Sequence, residues 1–126
     1  MAKKKYDKHY DQKLVDALKK ITSPIYDKKH QFYVYFINDQ ARTNKTRFEH
    51  IAKRGHELKV RDIESITNGI NNYIAYTKSK DVKDTYRYYI KRKGKDRGFI
   101  VVAILVDIND KSKAYIKTIF INYSLK

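Results

Sequence analysis

The sequence predicts an α+β fold: an antiparallel sheet of four to five strands running as a meander, with two or so helices packed on one of its faces. Three observations carry this. Two segments repeat apolar residues at helical spacing, three later runs are alternating or solidly apolar, and the links between those runs are short enough for hairpins. A chain of 126 residues fits a single domain, 1–126, whose first eight residues read as a flexible basic N-terminus.

The first helix is expected over about residues 9–21, where Leu14, Leu18 and Ile21 fall at i, i+4 and i+7 beside Val15 and Ala17. Thr22-Ser23-Pro24 stops it, because the residue before proline is pushed out of α geometry. Phe32 to Ile37, dense in aromatic and β-branched residues, reads as a strand, and Asn38 to Thr46 as a polar loop. His9 and His30 fit no pattern and read as surface histidines. Ile63, Ile66 and Ile70 mark a second helix from Val60, ending near Asn68-Gly69 or Asn71-Asn72, residues that tolerate left-handed termini.

Tyr73 to Thr77 reads as a short strand. Three stronger ones follow: Thr85 to Lys93, with Tyr86, Tyr88 and Ile90 alternating against Arg87, Tyr89 and Lys91; Phe99 to Ile108, nearly all apolar and therefore central; and Ala114 to Ile121. Gly94 to Gly98 and Asn109 to Ser112 supply the turns. Tyr88 with Ile90 looks like packing, whereas Tyr89 with Arg87 and Lys91 can line a groove.

Charge is the strongest compositional fact: 29 Lys plus Arg against 14 Asp plus Glu, a formal net of +15. The cations are spread along the chain, which fits a charged surface meeting a polyanion. Twelve tyrosines, some interleaved with those cations, turn the expectation toward nucleic acid, since aromatic faces stack on unpaired bases. The absence of cysteine excludes disulfides, thiolate catalysis and cysteine-held zinc. No apolar h-region follows the basic start and Phe99 to Val106 is too short to span a bilayer, so the expected location is the cytoplasm.

The chemistry concentrates in Lys45 to Leu58, which holds His50, Lys53, Arg54 and His56 on an apolar skeleton of Phe48, Ile51 and Leu58. Imidazole moves protons near neutrality and Lys53 and Arg54 can bind phosphate, a mixture suited to phosphodiester chemistry. No metal site and no cofactor are expected. His50 and His56 stand six apart, Asp81/Asp84 and Asp107/Asp110 lack the oxygen spacing of a calcium loop, and no glycine-rich phosphate cradle opens a helix.

His50-Ile51, Lys53-Arg54-Gly55-His56, Tyr88-Tyr89-Ile90-Lys91-Arg92, the apolar run Phe99 to Val106 and Ile116-Lys117-Thr118 occur in an order that resembles the barnase/EndoU/colicin/RelE-like nucleases of phage and mobile elements, the BECR fold. The resemblance covers about residues 48–121. It implies a toxin-type ribonuclease that works without metal: a 2′-hydroxyl attacks the adjacent phosphate, leaving a 2′,3′-cyclic phosphate. By analogy His50 is the base or the acid, Arg54 and Arg92 or Lys91 bind the phosphate, and Thr118 donates to a phosphoryl oxygen. Lys53, His56, Arg87, Tyr89, Lys91 and Lys117 would hold the RNA, a transfer RNA or other structured RNA, and an immunity or antitoxin protein is a possible partner. The inserted Gly55 changes how His56 is aimed relative to the family's Lys-Arg-His. Strict alternation puts Thr118 on the face of Ile116 and Phe120, and sends Lys91 and Arg92 to opposite faces. The other readings are a non-catalytic RNA- or DNA-binding module and an inhibitor or anti-defence protein directed at a protein partner.

Overall fold

The computed structural model describes residues 11–36, 44–52 and 57–125, with residues 44–47 as backbone. The basic start with His9, most of the loop from Asn38, and Lys53, Arg54, Gly55 and His56 lie outside the described residues. The chain runs α1 (Gln12–Lys19), β1 (Ile25–Asp27), β2 (Phe32–Tyr35), α2 (Asn44–Ile51), α3 (Val60–Gly69), β3 (Ala75–Lys78), β4 (Thr85–Lys91), β5 (Phe99–Val106) and β6 (Lys113–Asn122).

The fold is α+β, one sheet with helices against it. Strands β3 to β6 form the expected antiparallel meander, with β5 enclosed between β4 and β6. Among the described residues the sheet has six strands rather than four or five, in the order β1-β2-β6-β5-β4-β3, and it is mixed. β2 joins the free edge of β6 in parallel, Tyr33 opposite Lys113 and Tyr35 opposite Tyr115, and β1 pairs antiparallel with β2. A parallel pair requires a long crossover, so nothing local in the sequence announces it. The unexpected β1 has only three residues and follows Pro24 directly, too short a run to show alternation.

The helices bury apolar stripes in one core with the inner face of the sheet, α2 and α3 lying against strands and α1 against those two helices. In α1, capped by Asp11 through its Oδ1 and the Lys13 amide (2.9 Å), the stripe is Leu14, Val15, Ala17 and Leu18. The unexpected helix is α2, which begins at Asn44 inside the stretch read as a loop and buries Phe48 and Ile51. A backbone bond from the Asp11 amide to the Ala52 carbonyl (2.9 Å) ties its end to the start of α1. At the start of α3 the Asp62 carboxylate accepts from the Lys59 amide (2.8 Å), and Ile63, Ile66 and Ile70 are fully buried. Tyr88, Ile90, Ile100, Val102, Ile104, Ala114, Ile116 and Ile119 complete the core from the sheet. At the close contact of α3 with β4, a Cβ on Gly69 would come within 2.6 Å of Ile90. No helix among the described residues is long and apolar enough to cross a membrane.

Candidate functional site

The most chemically organised part of the molecule begins at the turn between β1 and β2. Asp27 ends β1 facing inward, and the five-residue turn Asp27-Lys28-Lys29-His30-Gln31 closes through the Gln31 amide to the Asp27 carbonyl (2.8 Å). Asp27 Oδ1 accepts from the amides of Lys29 and His30, both at 3.0 Å, which substitutes for the glycine such a turn would otherwise favour. Gln31 takes the left-handed conformation, φ 61°, that reverses the chain. The turn is held to the C-terminal end of α3 by Asn71, whose side chain donates to the Tyr26 carbonyl (2.8 Å) and accepts from the Lys28 amide (2.9 Å).

The other carboxylate oxygen, Asp27 Oδ2, takes two side-chain partners. His30 Nδ1 lies 2.7 Å away and the Tyr88 hydroxyl donates from 2.5 Å. Asp27 is wholly buried, whereas the His30 side chain keeps 24% of its surface exposed. The imidazole stacks on Tyr76 at 4.0 Å between ring centres and is bordered by Phe32 and Tyr73 at 5.8 and 6.1 Å. Tyr76 in turn stacks on Tyr86, with Tyr73 and Tyr88 tilted beside it. Burial raises the phenols of Tyr76 and Tyr88 well above their ordinary value, so both remain neutral donors at any physiological pH. Lys28 and Lys29 are exposed, and Lys29 Nζ stands 6.0 Å from the centre of the Tyr73 ring. Together with Asn71 and Asn72 they line an open hollow of about 460 Å³ beside the carboxylate.

In the tautomer that carries its proton on Nδ1, His30 donates to Asp27 and presents its lone pair at Nε2, the form of a general base. Nε2 makes no hydrogen bond to a described residue. His30 is therefore not the unpatterned surface histidine expected above: it is clamped by a buried acid and three aromatic rings.

The residues singled out from sequence are divided by the structure. His50 lies exposed in the last turn of α2, on the helical side, and Lys53, Arg54 and His56 lie outside the described residues. Arg92 is buried, with 4% of its side chain exposed. Its Nε and Nη2 form a fork on Asp62 at 3.0 and 2.8 Å, and Nη1 donates to the Arg97 carbonyl at 2.9 Å. That guanidinium, kept charged by its bonds to Asp62, joins the end of β4 to α3 and is used up by protein groups. Its assignment as a phosphate ligand gives way to a structural one.

Arg87, Tyr89, Lys91 and Thr118 share the outer face away from the helices, but Tyr89 is only 1% exposed there and offers no ring to RNA, contrary to its expected place in a groove. Thr118 reaches that face through a β-bulge. Ala103 pairs with Thr118 but Ile104 pairs with Ile116, so Lys117 is an extra residue, and beyond it the side chains change sides. Thr118 thus faces away from Ile116, contrary to strict alternation. Arg87, Ala103 and Thr118 form one row across β4, β5 and β6, with Tyr89, Val101 and Phe120 in the next. The Arg87 guanidinium lies 5.7 Å from the centre of the Phe120 ring, and its Nε is buried with no hydrogen-bond partner among the described residues. Lys117, half-buried at the bulge, makes its own contacts.

One signal for the overlooked hairpin site was present in the sequence. Asp27 and His30 stand at i and i+3 around a lysine pair, the spacing at which an aspartate caps a turn. Its tyrosine partners lie far along the chain and carried no such mark. Compared with known proteins, the chain matches no family model, no curated protein and no solved structure.

Proposed function

We propose that the chain is a metal-independent ribonuclease acting in the cytoplasm, with His30 as its general base. The observation that carries this reading is the Asp27–His30 pair at 2.7 Å, set beside Lys28 and Lys29 in a surface of tyrosines. In the proposed reaction Nε2 of His30 takes the proton of a ribose 2′-hydroxyl, and the 2′-oxygen attacks the adjacent phosphorus. The P–O5′ bond breaks, leaving a 2′,3′-cyclic phosphate and a 5′-oxygen that takes a proton from solvent water, and the His30 imidazolium returns its proton to solvent. Lys28 and Lys29 offset the charge that builds on the phosphorane, and Asp27 holds the imidazole in the basic tautomer. The resemblance noted in the sequence supports the same reaction with His50 as a proton-transfer group, and His50 is the rival position for that role.

A second reading, a non-catalytic RNA- or DNA-binding module, is favoured by one observation. Arg87, Lys91 and Thr118 lie on the outer face, whereas His50 stands on the helical side. Incubation of wild type, His30→Ala and His50→Ala with total bacterial RNA in EDTA, followed by analysis of the ends, separates these. Cyclic phosphate ends from wild type and His50→Ala, but not from His30→Ala, are the expected result. Loss in His50→Ala alone keeps the ribonuclease and moves its base to α2. Intact RNA throughout, with binding by all three that falls steeply with salt, selects the binding module. A protein-directed inhibitor would bind bulk RNA weakly and one protein tightly.

A further inference from the structure

The hairpin that carries Asp27 and His30 inward carries tyrosines outward. Alternation along β1 and β2 puts Ile25, Asp27, Phe32 and Val34 into the interior and Tyr26, Tyr33 and Tyr35 onto the outer face. Tyr26 and Tyr33 are direct cross-strand partners with ring centres 4.8 Å apart, and they remain 40% and 44% exposed. Two residues along, Tyr35 sits opposite Tyr115 of β6 with ring centres 5.7 Å apart. Lys113 stands opposite Tyr33 in the same row, and Lys28 follows Tyr26 at the turn.

Other large apolar side chains are exposed too, Ile108 and Tyr123 among them, but only here do two exposed rings face each other across neighbouring strands among the described residues. Burial of the Tyr26 and Tyr33 rings against each other is incomplete, so they stabilise the sheet less than an interior pair would. They offer π-faces at two successive levels of a strand, about 7 Å apart, flanked by ammonium groups on a chain of net charge +15. Two acids are near, and both are engaged: Asp107 accepts from the Tyr115 hydroxyl at 3.4 Å, and Asp110 pairs with Lys113 at 4.0 Å.

We infer that the outer face of β1, β2 and β6 is a binding platform for single-stranded RNA, with unpaired bases stacking on the Tyr26–Tyr33 and Tyr35–Tyr115 pairs and the backbone running past Lys28 and Lys113. Bases in a duplex are already stacked on one another and cannot use these rings, so the platform selects unpaired strands. This inference rests on the reading of the chain as RNA-directed and adds the form of the RNA. It also gives the hairpin two functions, since Lys28 and Lys29 lie at the turn between the outer rings and His30.

The test is fluorescence anisotropy with a labelled 2′-O-methyl oligouridine of about twelve nucleotides, within the site sizes of single-strand binders. The probe lacks the free 2′-hydroxyl that cleavage would need. A duplex of equal length is the comparison. Tyr26→Leu/Tyr33→Leu, which keeps the apolar bulk and removes the rings, is expected to weaken single-strand binding by about tenfold to a hundredfold and duplex binding by less than about threefold. Tyr26→Phe/Tyr33→Phe, which keeps the π-faces, is expected to bind like wild type. Unchanged single-strand affinity in the leucine variant, or equal losses on both probes, overturns the platform. Cleavage assays on the same proteins separate the two ideas. A leucine variant that binds like wild type, beside a His30→Ala variant that no longer cleaves, refutes the platform and leaves the ribonuclease standing. Ring-dependent binding by a wild type that never cleaves does the reverse.

Discussion

Tyr88 on β4 donates its hydroxyl to Asp27 at the end of β1 from 2.5 Å, although β2, β6 and β5 separate those two strands in the sheet. The bond is possible because the sheet curls until the first hairpin meets the far strands, where His30 also stacks on Tyr76. A single buried carboxylate thus fastens the curl and orients the imidazole.

Tyr88→Phe removes one donor to a buried acid and is expected to cost about 1.5–3 kcal/mol, the range for hydrogen bonds to charged groups. The same substitution changes the alkaline limb. Burial first, and the bond to Asp27 second, raise the Tyr88 phenol above its unfolded value, so the native state keeps a proton that the unfolded chain loses above about pH 10. This contribution is complete below that pH and fades as pH rises, by about 1.4 kcal/mol per unit. Tyr76, raised mainly by burial, adds a second such slope. With Tyr115 raised as well, urea midpoints measured across that range are expected to fall less steeply in Tyr88→Phe than in wild type. An unchanged slope would place the proton elsewhere.

Arg92 is expected to matter for stability and not for RNA. Replacing it with methionine leaves Asp62, 1% exposed, without its fork of donors, and breaking a buried pair in this way costs about 3–5 kcal/mol. Lysine does not rescue it, since one ammonium cannot span both carboxylate oxygens. Urea unfolding reads the loss. RNA affinity of the folded fraction is expected to stay within about twofold of wild type, because removal of an inward, fully engaged guanidinium takes away no phosphate contact. A variant of normal stability and weakened affinity would restore Arg92 to the RNA surface.

The class of the fold was legible because its main elements are periodic. Ile63, Ile66 and Ile70 can only share one side of a helix, and Phe99 to Val106 can only be an enclosed strand. What failed to show were features made by partners distant in sequence: the parallel pairing of β2 with β6, and the meeting of Asp27 with Tyr88, 61 residues away. Thr118 is an intermediate case. The buried residues of β6 run Ala114, Ile116, Ile119, switching from even to odd positions at Lys117, and that change of phase is the mark a bulge leaves in a sequence. Alternation carried through it assigned Thr118 to the wrong face. Arg92 is different: alternation rightly set it opposite Lys91, and its phosphate role came from the resemblance, which carries no sign of its distant partner Asp62.

Gly69 tests the close packing of α3 on β4. Alanine there improves helix propensity by up to about 1 kcal/mol, but its Cβ would lie 2.6 and 2.8 Å from the side chain of Ile90, itself buried in the core. Overpacking of that kind costs about 1–3 kcal/mol, so the balance is expected to be destabilising. Ile90→Val in the same chain removes one of the two opposing carbons, and the double variant is expected to recover part of the loss. Additive thermal midpoints for the pair would show that the two sites do not press on each other.

Asp96 governs the acid side. Its carboxylate meets Lys59 Nζ at 2.9 Å, Arg61 Nη2 at 2.5 Å and Arg92 Nη2 at 3.8 Å, drawing the start of α3 onto the turn after β4. The hydrogen bond from Lys59 first, with Arg61 beside it, holds this carboxyl below its ordinary value. Because the folded state favours the ionised form, the contribution to stability is complete above the unfolded value near pH 3.9. It is lost as pH falls below that toward the lower folded value. Asp96→Asn is expected to lower the thermal midpoint at neutral pH and to bring it toward wild type as pH falls below the unfolded value, where the advantage of the ionised carboxylate is lost. The Lys59 and Arg61 side chains are about half exposed, so added salt is expected to shrink the neutral-pH difference as well. A gap between the two proteins that persists unchanged through the acid range would mean that shape, and not charge, is what Asp96 supplies.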